Sequence, residues 1–164
     1  MEAVDPPAWP QAPVVLCRLD HNLRNTIRRP AAWASVDWEY SEWGDPAWDL
    51  AQWMTHASYV EVPQARWGQA IEAYVRRATE LGREDATLRL RVRTYCDLLA
   101  VWWVARLVRY LVEVPAGLDA RLAGRAEDWE ENIRRKYAHY VGLGEEVWTE
   151  QDRQDRQAPE KAAL

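Results

Sequence analysis

Apolar positions along this chain follow two regimes. Up to about residue 40 they come in short runs: Val14-Val15-Leu16-Cys17, then Thr26 to Arg29 and Trp33 to Val36 on either side of Pro30-Ala31-Ala32. Brief runs rich in β-branched and aromatic residues, bounded by turn formers, predict strands, and the last two predict a hairpin. Beyond them the period becomes helical. Asp45-Pro46 predicts a capped start, with proline at the first helical position, for a helix reaching about Tyr59. Pro63 opens a second helix, whose Trp67, Ile71, Tyr74, Ala78 and Leu81 recur at steps of three and four before Gly82. A third, from about Asp85 to Val112, is apolar on every side over Leu98 to Ala105, which predicts the central buried element with Trp102-Trp103 in the core. Pro115 and Gly117 end it. A fourth, roughly Asp119 to Val141, places Trp129, Ile133, Tyr137 and Tyr140 on one face, with Gly142 and Gly144 as terminators. The proline-rich residues 1–13 predict an irregular lead-in, 14–147 a folded unit, and the polar 148–164 a disordered tail. The fold class expected is α+β and mostly helical.

Composition narrows the function. A length of 164 residues, 48% hydrophobic and 29% charged, suits one soluble globular domain or one lobe of something larger. The net charge of −5 argues against a nucleic-acid partner. Cys17 and Cys96 lie in apolar runs without metal-ligand spacing and read as buried free thiols of a reducing compartment. The opening MEAVDPPAWP has neither a basic nor an apolar signal region, and no apolar run approaches the roughly 20 residues of a membrane helix. A cytoplasmic location, with no membrane partner, is the expectation.

Candidate chemistry sits around the hairpin, in Arg18-Leu19-Asp20-His21-Asn22-Leu23-Arg24-Asn25. With the turn centred on Ala31, Asn25 and Asp37 are equidistant from it and face each other across the ribbon, with Cα atoms about 5 Å apart. Asp20 begins the loop that leads to Asn25. Two carboxylates and an amide at one end of a sheet suit Mg²⁺, a hard cation that takes oxygen ligands. The same order, an Asp opening a D-x-x-x-x-N loop and a second Asp beyond a hairpin, serves phosphoryl transfer in kinases.

Three segments in sequence, Asp20 to Asn25, then Val36-Asp37-Trp38-Glu39-Tyr40, then Trp43-Gly44-Asp45-Pro46-Ala47-Trp48-Asp49-Leu50-Ala51, resemble the aminoglycoside phosphotransferase and choline kinase family. That family's pattern is a His-Gly-Asp-x-x-x-x-Asn loop, an Ile-Asp-Phe/Trp-Glu segment and a Gly-Asp-Pro-x-x-Asp-Leu-Ala helix start. The likeness covers about residues 12 to 145. It implies a protein-kinase-like C-terminal lobe, with Asp20 as the catalytic base, Asn25 and Asp37 as metal ligands, and Asp45 and Asp49 as structural braces. It further implies Mg²⁺ and ATP or GTP as cofactors, and a small-molecule hydroxyl acceptor, aminoglycoside- or choline-like. Glu39 and Glu42 are candidates to attract a cationic acceptor.

The sequence departs from the pattern at two positions: Arg18 stands for the family's histidine and Leu19 for its glycine. Arg18 is expected to pair with Asp20 or Asp37. No glycine precedes Gly44 and no lysine precedes Lys136, so the nucleotide-binding N-terminal lobe is expected to be absent. Two functions follow: phosphoryl transfer when a separately encoded N-lobe completes the site, or a non-catalytic remnant or binding module that keeps the fold. His56 is expected to be packed or solvent-facing rather than a ligand. The tryptophans at 33, 38, 43, 48 and 53 are expected to divide between core and cleft.

Overall fold

Asp45 organises the first helix as the sequence predicts. In the computed structural model, which describes residues 12–118 and 127–145, its side chain accepts a hydrogen bond from the Ala47 amide at 2.8 Å and Pro46 takes the first helical position. Helix α1 spans Pro46–Thr55, ending four residues before the expected Tyr59, and His56 turns the chain in extended conformation. A short 3-10 turn at Gln64–Arg66, opened by Pro63, precedes α2, Trp67–Glu80. Gly82, at φ +65°, closes α2: its amide bonds to Thr79 O and the Arg83 amide to Ala78 O, both at 2.9 Å. Helix α3 is Leu88–Glu113 and α4 is Trp129–Glu145. The expected start of α4 at Asp119 lies outside the described residues, as do 1–11 of the lead-in and the tail at 148–164.

The strands form two separate two-stranded antiparallel sheets. Strands β2 (Thr26–Arg29) and β3 (Ala32–Ser35) make the expected hairpin around Pro30-Ala31. Its register pairs Thr26 with Ser35 and Arg29 with Ala32, so the turn centres between Pro30 and Ala31 rather than on Ala31. Strand β1 (Val15–Cys17) pairs instead with β4 (Glu42–Gly44), a strand too short for alternation to reveal. Leu16 and Trp43 are opposite each other and exposed, while Cys17 on the other face is wholly buried. The overall class is α+β and mostly helical.

Helix α3 carries the core. Val92, Cys96 and Leu99 meet Ala47, Ala51 and Met54 of α1 and Trp67 of α2. One to two turns later, Trp103 and Leu107 meet Ile133 and Tyr140 of α4. Trp103 and Tyr140 stack at 5.4 Å, and the Tyr140 hydroxyl donates to Thr55 O at 2.6 Å. Covered by α1 on one side and α4 on another, α3 leaves a third side open. Leu98, Val101 and Trp102 are exposed, which corrects the expectation of burial all round and of a core position for Trp102. The five-residue tryptophan series supplies no fully buried member: Trp33, Trp38, Trp43 and Trp53 are exposed and Trp48 lies half-buried against Tyr95. Helix α4 passes through Gly142 and Gly144, expected as terminators, because glycine in a helix interior costs only about 1 kcal/mol and tertiary packing outweighs it. Among the described residues no helix is long and apolar enough to cross a membrane. Cys17 and Cys96 are free and buried.

Candidate functional site

The loop between β1 and β2 is shaped by its backbone first. Leu19 takes φ +66°, the left-handed region, and reverses the chain so that the Asp20 amide bonds to Arg18 O at 2.9 Å. Asp49, in the first turn of α1, anchors the reversal. Its Oδ1 accepts the amides of Arg18 (2.9 Å) and Leu19 (3.1 Å) and lies 2.7 Å from His21 Nε2. Burial alone would raise the Asp49 pKa, but the His21 bond and the two amides together hold it below the usual carboxylate value. Asp45 is fixed more firmly. Arg91, fully buried on α3, donates to Asp45 through Nε (2.8 Å) and Nη2 (3.1 Å), and to Asp85 through Nη2 (2.7 Å). Both aspartates therefore brace the loop and the helix start.

Asp20, Asn25 and Asp37 converge. Asn25 ends a 3-10 turn at Leu23–Asn25, and its Nδ2 donates to Asp37 Oδ2 at 2.7 Å and to Asp20 Oδ2 at 3.4 Å. Asp20 Oδ1 accepts the Asn22 amide at 3.1 Å. The route to this meeting differs from the expected one. The observed register places Val36, not Asp37, opposite Asn25, and the Val36 amide bonds to Asn25 O at 3.0 Å. A one-residue offset ordinarily sends a side chain to the other face. Asp37 returns because its own φ is +64°.

Arg18 does not pair with either aspartate. It is buried, and its Nη2 donates to Val36 O (3.0 Å) and Asn25 O (3.4 Å), with the guanidinium 5.9 Å from the Trp38 ring. It ties the loop to the end of β3, a bracing role that carbonyl acceptors satisfy without a carboxylate.

His56 is the residue that sequence reading assigned to packing, and it does pack, edge-on to Trp103 at 5.8 Å. It also reaches the site. The Ser58 amide donates to Nδ1 at 3.1 Å, which leaves the proton of the neutral ring on Nε2, 3.7 Å from Asp20 Oδ1. Burial pushes its pKa down. Asp20 opposes that shift, while His21, Lys136 and Arg106 add to it. A cavity of about 440 Å³ opens here, with Asp20, His56, Trp102, Trp103 and Arg106 among its walls. The signal for it was present in the sequence: Trp102 and Trp103 stand four and three residues before Arg106 and share one face of α3 with it.

Two carboxylates with an amide oxygen are hard donors of the kind a divalent cation takes. Asn25 now presents its NH₂ group between the carboxylates, supplying partial positive charge to both. No group of three His, Cys, Asp or Glu side chains able to hold a metal occurs among the described residues. Comparison with protein-family models, curated proteins and solved structures finds no match for this chain.

Proposed function

We propose that this chain is a kinase-like C-terminal lobe of the aminoglycoside phosphotransferase and choline kinase type, acting in phosphoryl transfer from ATP or GTP to a small-molecule hydroxyl. The observation that carries this reading is the meeting of Asp20, Asn25 and Asp37 through the Asn25 Nδ2 bonds of 2.7 and 3.4 Å. The left-handed backbone of Leu19 supports it, since the family pattern has glycine there and glycine alone adopts that region without strain. The exposed apolar pair Leu16 and Trp43 supports it too, as a surface on which a nucleotide-covering lobe can pack. That lobe, with its phosphate-covering loop and lysine, would be joined to this chain or separately encoded.

In this reading Asp37 and the amide oxygen of Asn25 would hold Mg²⁺, which would neutralise charge on the nucleotide phosphates. Asp20 orients the acceptor hydroxyl and receives its proton as the acceptor oxygen bonds to the γ-phosphorus. The bond from that phosphorus to the β–γ bridging oxygen breaks, and the nucleoside diphosphate leaves with it.

Calorimetric titration of the chain with Mg²⁺, alone and with ATP, tests the reading. Binding is expected, and Asp37→Asn should abolish it. With a completing lobe present, Asp20→Ala should slow transfer by roughly 10²–10⁴, the range for a positioned base. A second reading, a non-catalytic binding module, is favoured by one fact: the Asn25 NH₂ group already joins both carboxylates without a cation. Absence of Mg²⁺ binding in both titrations would select it.

A further inference from the structure

Among the described residues Arg106, exposed on α3, is a cation without an acid. Elsewhere on the helices Arg77, Arg89, Arg109, Arg134 and Arg135 each pair with a glutamate. The Arg106 guanidinium instead lies 4.9 Å from the Trp102 ring and 5.6 Å from the rings of Trp103 and Tyr110. Its one hydrogen bond among the described residues runs from Nε to the Tyr110 hydroxyl at 2.9 Å. Both terminal nitrogens have no acceptor among the described residues, and Arg106 stands at the wall of the cavity that also holds Asp20.

Two further observations point the same way. Trp103, on the same wall, is buried, and its indole Nε1–H has no acceptor among the described residues. A buried donor left unpaired costs about 1–3 kcal/mol, and the indole is a reporter on the cavity that Trp103 lines. Lys136, half-buried on α4 and without an acidic partner among the described residues, adds its charge to that of Arg106 at His56. Among the described residues Asp20 is the one acid in the cavity walls, and neither Glu39 nor Glu42 belongs to them.

We infer that the acceptor is a hydroxyl compound bearing a carboxylate, which Arg106 binds while the hydroxyl is presented to Asp20. This rests on the phosphotransferase reading and names the acceptor class for it. A guanidinium fork matches a carboxylate with two parallel hydrogen bonds, and contact with the three rings holds the guanidinium in place for that pairing. A cavity of about 440 Å³ is of small-molecule size. A polycationic aminoglycoside or a choline-like ammonium would place like charge against Arg106.

The test uses the full chain and ¹H–¹⁵N spectra that resolve the tryptophan indole signals. Three probes of similar reach are titrated: 4-hydroxybutyrate, 1,4-butanediol and choline. The expected result is a shift of the Trp103 indole signal by 4-hydroxybutyrate at millimolar concentration, with affinity about tenfold above that of the diol and no response to choline. Arg106→Gln should reduce the acid to the level of the diol, and Arg106→Lys should restore part of the difference. Choline binding as well as the acid, no response to any probe, or indifference to Arg106→Gln overturns the inference. Mg²⁺ added to the same samples separates the two proposals through the Asn25 amide signal. A Mg²⁺ response without a carboxylate response sinks the acceptor class alone. A carboxylate response without a Mg²⁺ response sinks the phosphotransferase reading, and with it the acceptor role.

Discussion

Leu19 and Asp37, the two non-glycine residues with positive φ among those described, flank the candidate site and account for its shape. A left-handed backbone costs a side-chain-bearing residue about 1–2 kcal/mol, and a β-branched one more. Leu19→Val should therefore lower unfolding free energy by the added strain of its β-branch, whereas Leu19→Gly, which relieves the strain, should be tolerated; urea denaturation distinguishes them. Arg91 acts at the same scale with larger stakes. It is fully buried between Asp45 and Asp85, and Arg91→Ala should cost about 3–5 kcal/mol by leaving both carboxylates without their cation. The hydrogen bond from Arg91 holds the Asp85 pKa below the usual value, and Asp49 is held low as well. A depressed folded-state pKa means that the unfolded chain binds the proton first as pH falls. The stability these groups supply is thus complete above the unfolded carboxylate value of about 3.9 and is lost as pH falls through their lower folded values. Denaturation midpoints should drop over that acid range, and Arg91→Met should flatten the drop.

At the scale of elements, capping and periodicity were legible because each is a local property. Asp45-Pro46 fixed the start of α1, and Gly82 fixed the end of α2. The hairpin was legible for the same reason, but its register was not: a three-residue turn centred on Ala31 and the observed two-residue turn at Pro30-Ala31 both suit this sequence. Strand β4 was hidden because its three residues, Glu42–Gly44, offer no alternation to read. In α3 the apolar run gave the helix but not its covered sides, since those depend on where α1 and α4 dock. Gly142 shows the limit of a terminator signal. Inside α4, a Cβ added at Gly142 meets no atom within 4 Å, so Gly142→Ala should raise stability by about 0.5–1 kcal/mol through propensity alone. Thermal or urea unfolding of the variant measures this directly.

For the whole molecule, the candidate site is a junction between the small sheets and the helical layer. Asp20 and Asn25 come from the loop after β1, Asp37 from the end of β3, and His56 from the end of α1, while Arg106 comes from the middle of α3. The first three were legible because sequence spacing around one hairpin brings them together. His56 and Arg106 were not assigned to the site, because their approach to Asp20 is made by the docking of α1 on α3 rather than by spacing along the chain. The account as a whole depends on the carboxylates and amide at residues 20, 25 and 37 forming a place for a divalent cation. Crystals of the protein grown with Mn²⁺ and measured at the manganese absorption edge locate such an ion without reference to activity. The account predicts one anomalous peak within about 2.1–2.2 Å of oxygens from both Asp37 and Asn25, lost in Asp37→Asn. A map without density there, or with manganese bound only elsewhere on the surface, contradicts it.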